Sequence, residues 1–81
     1  MELKDTVELM LSEDYKERFV AEYRQVKIRL DKLERMLVKL SEGKLPFKPS
    51  CPVSMLKWQC AVMKQYLDVL EERAKVEGIT L

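Results

Sequence analysis

The sequence predicts an all-α fold: a short N-terminal helix followed by an antiparallel two-helix hairpin that assembles into a helical oligomer. Three observations carry this. Two long stretches each repeat apolar residues at alternating spacings of four and three. A proline-rich segment separates them, and only two glycines stand among many Leu, Lys, Glu and Met, a composition that favours long helices over strands. The 81 residues form one helical domain, 1–81, and a chain this short buries a modest fraction of its surface, so association would relieve a marginal monomer.

The elements follow in order. Residues 1–12 form an arm in which Asp5 and Glu8 give a capping-box-like start and "TVELML" a turn or two of helix. Ser12, followed by Glu13 and Asp14 at the positive end of a helix dipole, is the expected N-cap of a first long helix over 13–42. Gly43 supplies its C-terminal cap. The connection 43–51 and the residue after it hold Pro46, Pro49 and Pro52, which cannot continue a helix. Ser50 or Cys51 can cap a second long helix, 52–78, with Pro52 in its first turn and Gly78 ending it.

The first long helix carries a seam of Phe19, Tyr23, Val26, Leu30, Leu33, Leu37 and Leu40, and the second one of Leu56, Cys60, Met63, Leu67, Leu70 and Ala74. Two helices of similar length with a short connection pack seam to seam as a hairpin. The second helix has a further stripe, Met55, Val62, Tyr66, Val69 and Val76, interrupted by Gln59 and Arg73, which one partner cannot cover. With Ile28, Met36 and Val38 on the outer side of the first helix, it predicts an oligomer, unless the arm folds over this surface.

No apolar run approaches the roughly 20 residues that cross a bilayer, and the N-terminus has acids where a secretory signal is basic, so the expected location is the cell interior. Without histidine and with two cysteines, the chain cannot build the usual Cys/His zinc site or the usual His-based catalytic arrangements, and no cofactor is expected. A binding protein is expected, not an enzyme. Cys51 and Cys60, about 13 Å apart if on one helix, read as buried reduced thiols rather than a disulfide.

The net charge of +1 hides a division: residues 1–14 hold five acids against Lys4, whereas residues 16–40 hold eight basic and four acidic residues. Intrahelical pairs of Arg18 with Glu22 and Asp31 with Arg35 would neutralise part of that, but Lys32 has no acid one turn away. A base needs a π-face and a phosphate needs Lys or Arg, and Tyr15 lies beside Arg18 and Phe19 at the start of the helix, where it could equally staple the hairpin. Duplex DNA fits poorly, since the basic residues go around the helix and the net charge is small. A small anion held between subunits fits better.

The stretches "DYKERFVAEY", "RLDKLERML" and "MKQYLDVLEERA" resemble a family of short phage-encoded helical-hairpin proteins that includes the anti-CBASS cyclic-nucleotide sponges. The matching residues are Tyr15 with Arg18, Lys32 with Leu33, and Met63, Tyr66, Leu70 and Arg73, over residues 13 to 75. The resemblance implies a hexamer assembled from dimers in the host bacterial cytoplasm that binds cyclic dinucleotides and cyclic trinucleotides at separate intersubunit sites and withholds them from an effector without cleaving them. It implies Tyr15 for base stacking, Lys32 for a phosphate and Arg73 for a second phosphate site, with Arg18 and Arg29 in support. Arg73 in its apolar stripe is equally consistent with a pair to Glu77 or to Glu22 of a neighbour. The alternatives are a helical protein-binding module using the second stripe and Trp58, or a sponge for an NAD-derived signal.

Overall fold

A computed structural model describes residues 1–81 and is all-helical. A single 3₁₀ turn, Leu3–Thr6, leads into α1, Val7–Met10; α2 spans Tyr15–Ser41 and α3 spans Val53–Glu77. The pairing across the two long helices is antiparallel. Tyr15 meets Glu77, Tyr23 meets Glu71, and Glu34 meets Lys64.

The helix ends follow backbone chemistry. Asp14, not the expected Ser12, is the N-cap of α2: its Oδ1 accepts from the Lys16 amide at 2.9 Å. Ser12 instead accepts from the Asp14 amide at 3.0 Å and donates to Glu17, fixing the turn that presents the cap. Asp14 wins because its carboxylate satisfies an orphan amide and carries the charge the helix dipole favours. At the arm, the reciprocal cap lies earlier than expected, with the Glu2 amide donating to Asp5 Oδ2 at 2.8 Å. Gly43 and Gly78, both at φ +70°, end α2 and α3 in the left-handed conformation. The Lys44 amide bonds back to Lys39 and that of Ile79 to Ala74, so Ile79 turns under the hairpin and is buried.

The core is the predicted seam without its loop end, where Leu40 and Leu56 are only half-buried, and with Ile79 added. Phe19, Tyr23 and Leu30 of α2 and Cys60, Leu67, Leu70 and Ala74 of α3 are buried with Ile79, flanked by Val26, Leu33, Leu37 and Met63. Only 11 of 81 residues are buried, so the hairpin rests on few side chains, and removing one should be felt in full. Cys51 lies outside α3 and is exposed, contrary to expectation, because the connection it ends runs over the surface; Cys60 is a buried free thiol.

The arm lies against α2 and makes no approach to α3. It covers the face formed by Ala21, Gln25, Ile28 and Lys32, spaced four, three and four. Thr6 is wholly buried, its Oγ1 donating to the Leu3 carbonyl at 2.7 Å and accepting from Gln25 Nε2 at 2.9 Å. Ile28, expected on an open outer surface, is therefore buried, whereas Val38 beyond the arm's reach stays exposed. The second stripe of α3 stays bare: Met55, Val62, Tyr66, Val69 and Val76 are exposed, as is Trp58 at 68%. A body 43 × 24 × 17 Å is under two helix diameters deep, which leaves no third layer for that face.

Leu70→Ala, at the best-buried point of the seam, is expected to cost about 2–5 kcal/mol in urea unfolding, whereas Val76→Ala, 87% exposed on the same helix, stays within about 0.5 kcal/mol.

Candidate functional site

The positive charge of α2 is not spread evenly around the helix. Arg24, Lys27, Lys32 and Arg35 line one cleft of about 480 Å³ with Tyr23, Ile28 and Asp31, closed by Met1 and Glu2 of the arm and by Leu81. Small-ligand pockets fall in the range of about 300–1,000 Å³. Four cationic side chains face two carboxylates here, so the cleft is net positive while the whole chain is nearly neutral. The apolar wall comes from Ile28, buried beneath the arm, and from Tyr23.

Tyr23 is held rigidly. Its hydroxyl donates to Glu71 Oε1 of α3 at 2.7 Å, and the Lys27 amine stands 5.8 Å above the ring. That bond to Glu71, with burial, pushes the phenol up to about 12, because a phenolate beside a carboxylate is doubly disfavoured. The Lys32 Nζ meets Glu2 Oε2 of the arm at 2.8 Å, and this ammonium holds the Glu2 carboxyl below the usual carboxylate range. The acid that Lys32 lacks on its own helix thus arrives from thirty residues away.

A second cluster lies at the other end of the hairpin. Tyr15 donates to Glu77 Oε1 at 2.8 Å and accepts from Arg73 Nη2 at 2.8 Å; Arg73 Nε meets Glu77 Oε2 at 3.2 Å. The Arg73 guanidinium lies 5.0 Å over the Phe19 ring, which Tyr15 meets edge-on at 6.2 Å. Beside it, the Tyr66 hydroxyl donates to Glu22. The hydrogen bond to Glu77 raises the Tyr15 phenol and also the Arg73 guanidinium; that to Glu22 raises Tyr66. Of the two readings of Arg73, a pair with Glu77 is the one present, within the chain.

The sequence-derived residues therefore divide. Tyr15 and Arg73 come together, and Lys32 stands 17 positions further along α2 than Tyr15, about 25 Å away. Arg18 donates to the Ser12 carbonyl at 2.8 Å and ties down the loop before α2, while Arg29 is exposed on α2 outside the cleft. The expected intrahelical pairs of Arg18 with Glu22 and Asp31 with Arg35 are not formed: Glu22 is taken by Tyr66 and Arg18 by the loop. Arg24, Lys27 and Arg35 were not singled out from the sequence as site residues. Their spacing with Asp31, three, four and four, is the signal that puts them on one face.

Fold and surface thus define a small helical-hairpin protein with a basic, partly apolar cleft. The chain belongs to the Sequestin family, whose model matches residues 13–76. The match takes in α2, the connection and nearly all of α3, and leaves out the arm. No curated protein and no solved structure matches the chain.

Tyr23 sets an alkaline limit on the hairpin. Its folded-state pKa lies above the ordinary value near 10, so the stability it gives is complete below about pH 10 and declines as pH rises towards about 12. In urea melts across that window, Tyr23→Phe is expected to lose less stability than the wild type, and a parallel fall in both proteins would show that Tyr23 is not the group responsible.

Proposed function

We propose that this protein is a phage counter-defence sponge: it binds cyclic oligonucleotide immune signals in the host cytoplasm and sequesters them stoichiometrically, with no bond broken. The observation that carries the reading is the cleft, where Arg24, Lys27, Lys32 and Arg35 converge beside Tyr23 and Ile28. Phosphodiesters need cationic donors and bases need apolar walls, and the cleft presents both. Membership of a family named for sequestration supports the same reading. An NAD-derived signal carries a diphosphate and belongs to the same test.

The protein acts as a homo-oligomer in this reading. The stripe of Met55, Val62, Tyr66 and Val69, interrupted by Gln59, lies open along α3, and a second copy of the same face would bury it. The resemblance points to a hexamer. In an assembly of that kind, Tyr15 and Arg73, far from Lys32 within one chain, become available to a second ligand site between subunits. Exposed Trp58 beside the stripe favours one other reading, a helical module that receives a protein partner.

A panel of cyclic dinucleotides, cyclic trinucleotides and ADP-ribose-type signals, each at 100 times its Kd, is expected to produce a stabilisation of about 2.7 kcal/mol for the class that binds. The ligand should be recovered intact after long incubation. Lys32→Ala should weaken binding with the melting temperature of the free protein nearly unchanged, since Lys32 is exposed and outside the seam. A folded oligomer that no member of the panel stabilises would shift the assignment to the protein-binding module.

A further inference from the structure

The arm does not merely cap the cleft; it places an anion in it. The Glu2 carboxylate sits 2.8 Å from Lys32 Nζ, the position that a phosphate oxygen would take on this ammonium. We propose that Glu2 is a built-in competitor for the anion-binding position at Lys32, displaced by an incoming phosphate, and that it sets both the affinity of the cleft and its preference for ligands bearing more than one negative charge. This rests on the reading of the cleft as the ligand site.

Three features support it. The arm has anchors besides the Glu2 carboxylate, because buried Thr6 bonds to Gln25 and to the Leu3 carbonyl, and Asp5 accepts from the Glu2 amide. Release of the carboxylate gives up its half of the reciprocal cap with Asp5 but leaves the arm in place, through Thr6, as the wall of the cleft. Both partners are half exposed, Lys32 at 52% and Glu2 at 59%, so the pair is a weak one that a better anion can replace. The arm also lies outside the residues matched by the family model, whereas every cleft cation lies within them, so the competitor is carried by a segment appended to the hairpin.

Charge counting gives the preference. With Glu2 in place, four cations face Glu2 and Asp31, an excess of two; with Glu2 turned out, the excess is three. A ligand with a single phosphodiester, and so a single negative charge, replaces one negative charge by another and gains little. A ligand with two or three phosphodiesters fills the positive charge that remains, which favours the ring sizes of cyclic di- and trinucleotides over mononucleotides.

The test compares wild type, Glu2→Gln and Glu8→Gln by isothermal titration with inorganic pyrophosphate, a 3′,5′-cyclic mononucleotide bearing one phosphodiester, and a panel of cyclic di- and trinucleotides. Glu8 is an exposed arm acid outside the cleft, so it controls for net charge alone. Glu2→Gln is expected to tighten pyrophosphate and the nucleotide that binds by about two- to five-fold, with little change for Glu8→Gln and with the gain reduced in a Lys32→Ala background. The ratio of multi-phosphate to cyclic mononucleotide affinity should fall in Glu2→Gln. Equal gains in both glutamine variants, or no gain in Glu2→Gln, would overturn the proposal. Tighter pyrophosphate with no cyclic nucleotide bound by any variant would uphold the competitor and overturn the nucleotide reading. Nucleotide binding unaffected by Glu2→Gln would do the reverse.

Discussion

A two-helix hairpin can bury only one stripe of each helix, and the rest of this structure follows from what happens to the stripes left over. On α2 the second face is Ala21, Gln25, Ile28 and Lys32, and the arm covers it. On α3 the second face is Met55, Val62, Tyr66, Val69 and Val76, and nothing within the chain covers it. The asymmetry has a local cause. Gln25 offers an amide that Thr6 can accept from at 2.9 Å, and small, fully buried Ala21 one turn earlier lets backbone come close. On the corresponding face of α3, Tyr66 and Arg73 are already bonded, to Glu22 and to Glu77 and Tyr15, and leave no free partner to orient a short acidic segment.

Covering α2 in this way also shapes its electrostatics. The arm is acidic and the helix basic, so docking brings opposite charges together, but only Glu2 meets a cation directly, at Lys32. Arg24, Lys27 and Arg35 remain around the rim of a cleft that exists only because the arm and Leu81 build walls over a helix surface. The same segment that neutralises part of the positive charge is what concentrates the remainder. Exposed charges on a bare helix are screened by water, whereas those partly enclosed act on a ligand through a lower dielectric and at shorter range.

Much of the backbone was legible in the sequence and much of the site was not, for physical reasons that differ. Gly43, Gly78 and the heptad spacing of both seams are local or periodic signals, and the structure follows them closely. The N-cap of α2 moved from Ser12 to Asp14 because two acceptors compete within one turn and the carboxylate prevails. The place of the arm was beyond reach, since it depends on Thr6 meeting Gln25 and Glu2 meeting Lys32, single polar pairs at long range with no period to betray them. Treating Ile28 as an outer residue and the basic residues as wrapping around the helix were both consequences of not knowing where the arm goes.

The two clusters make different demands on an anionic ligand within one chain. To reach Arg73, a phosphate must take a guanidinium already bonded to Glu77 and to Tyr15 and stacked on Phe19, and every one of those groups would need a new partner. To reach Lys32, it displaces one half-exposed carboxylate that returns to water at little cost. The Tyr15 and Arg73 cluster closes the open end of the hairpin and satisfies itself; only a neighbouring subunit, by contributing its own cations or aromatic faces against the bare stripe of α3, changes that balance. The cleft at Lys32 needs no such help to admit an anion, since its one internal partner is a half-exposed carboxylate and Arg24, Lys27 and Arg35 already line it.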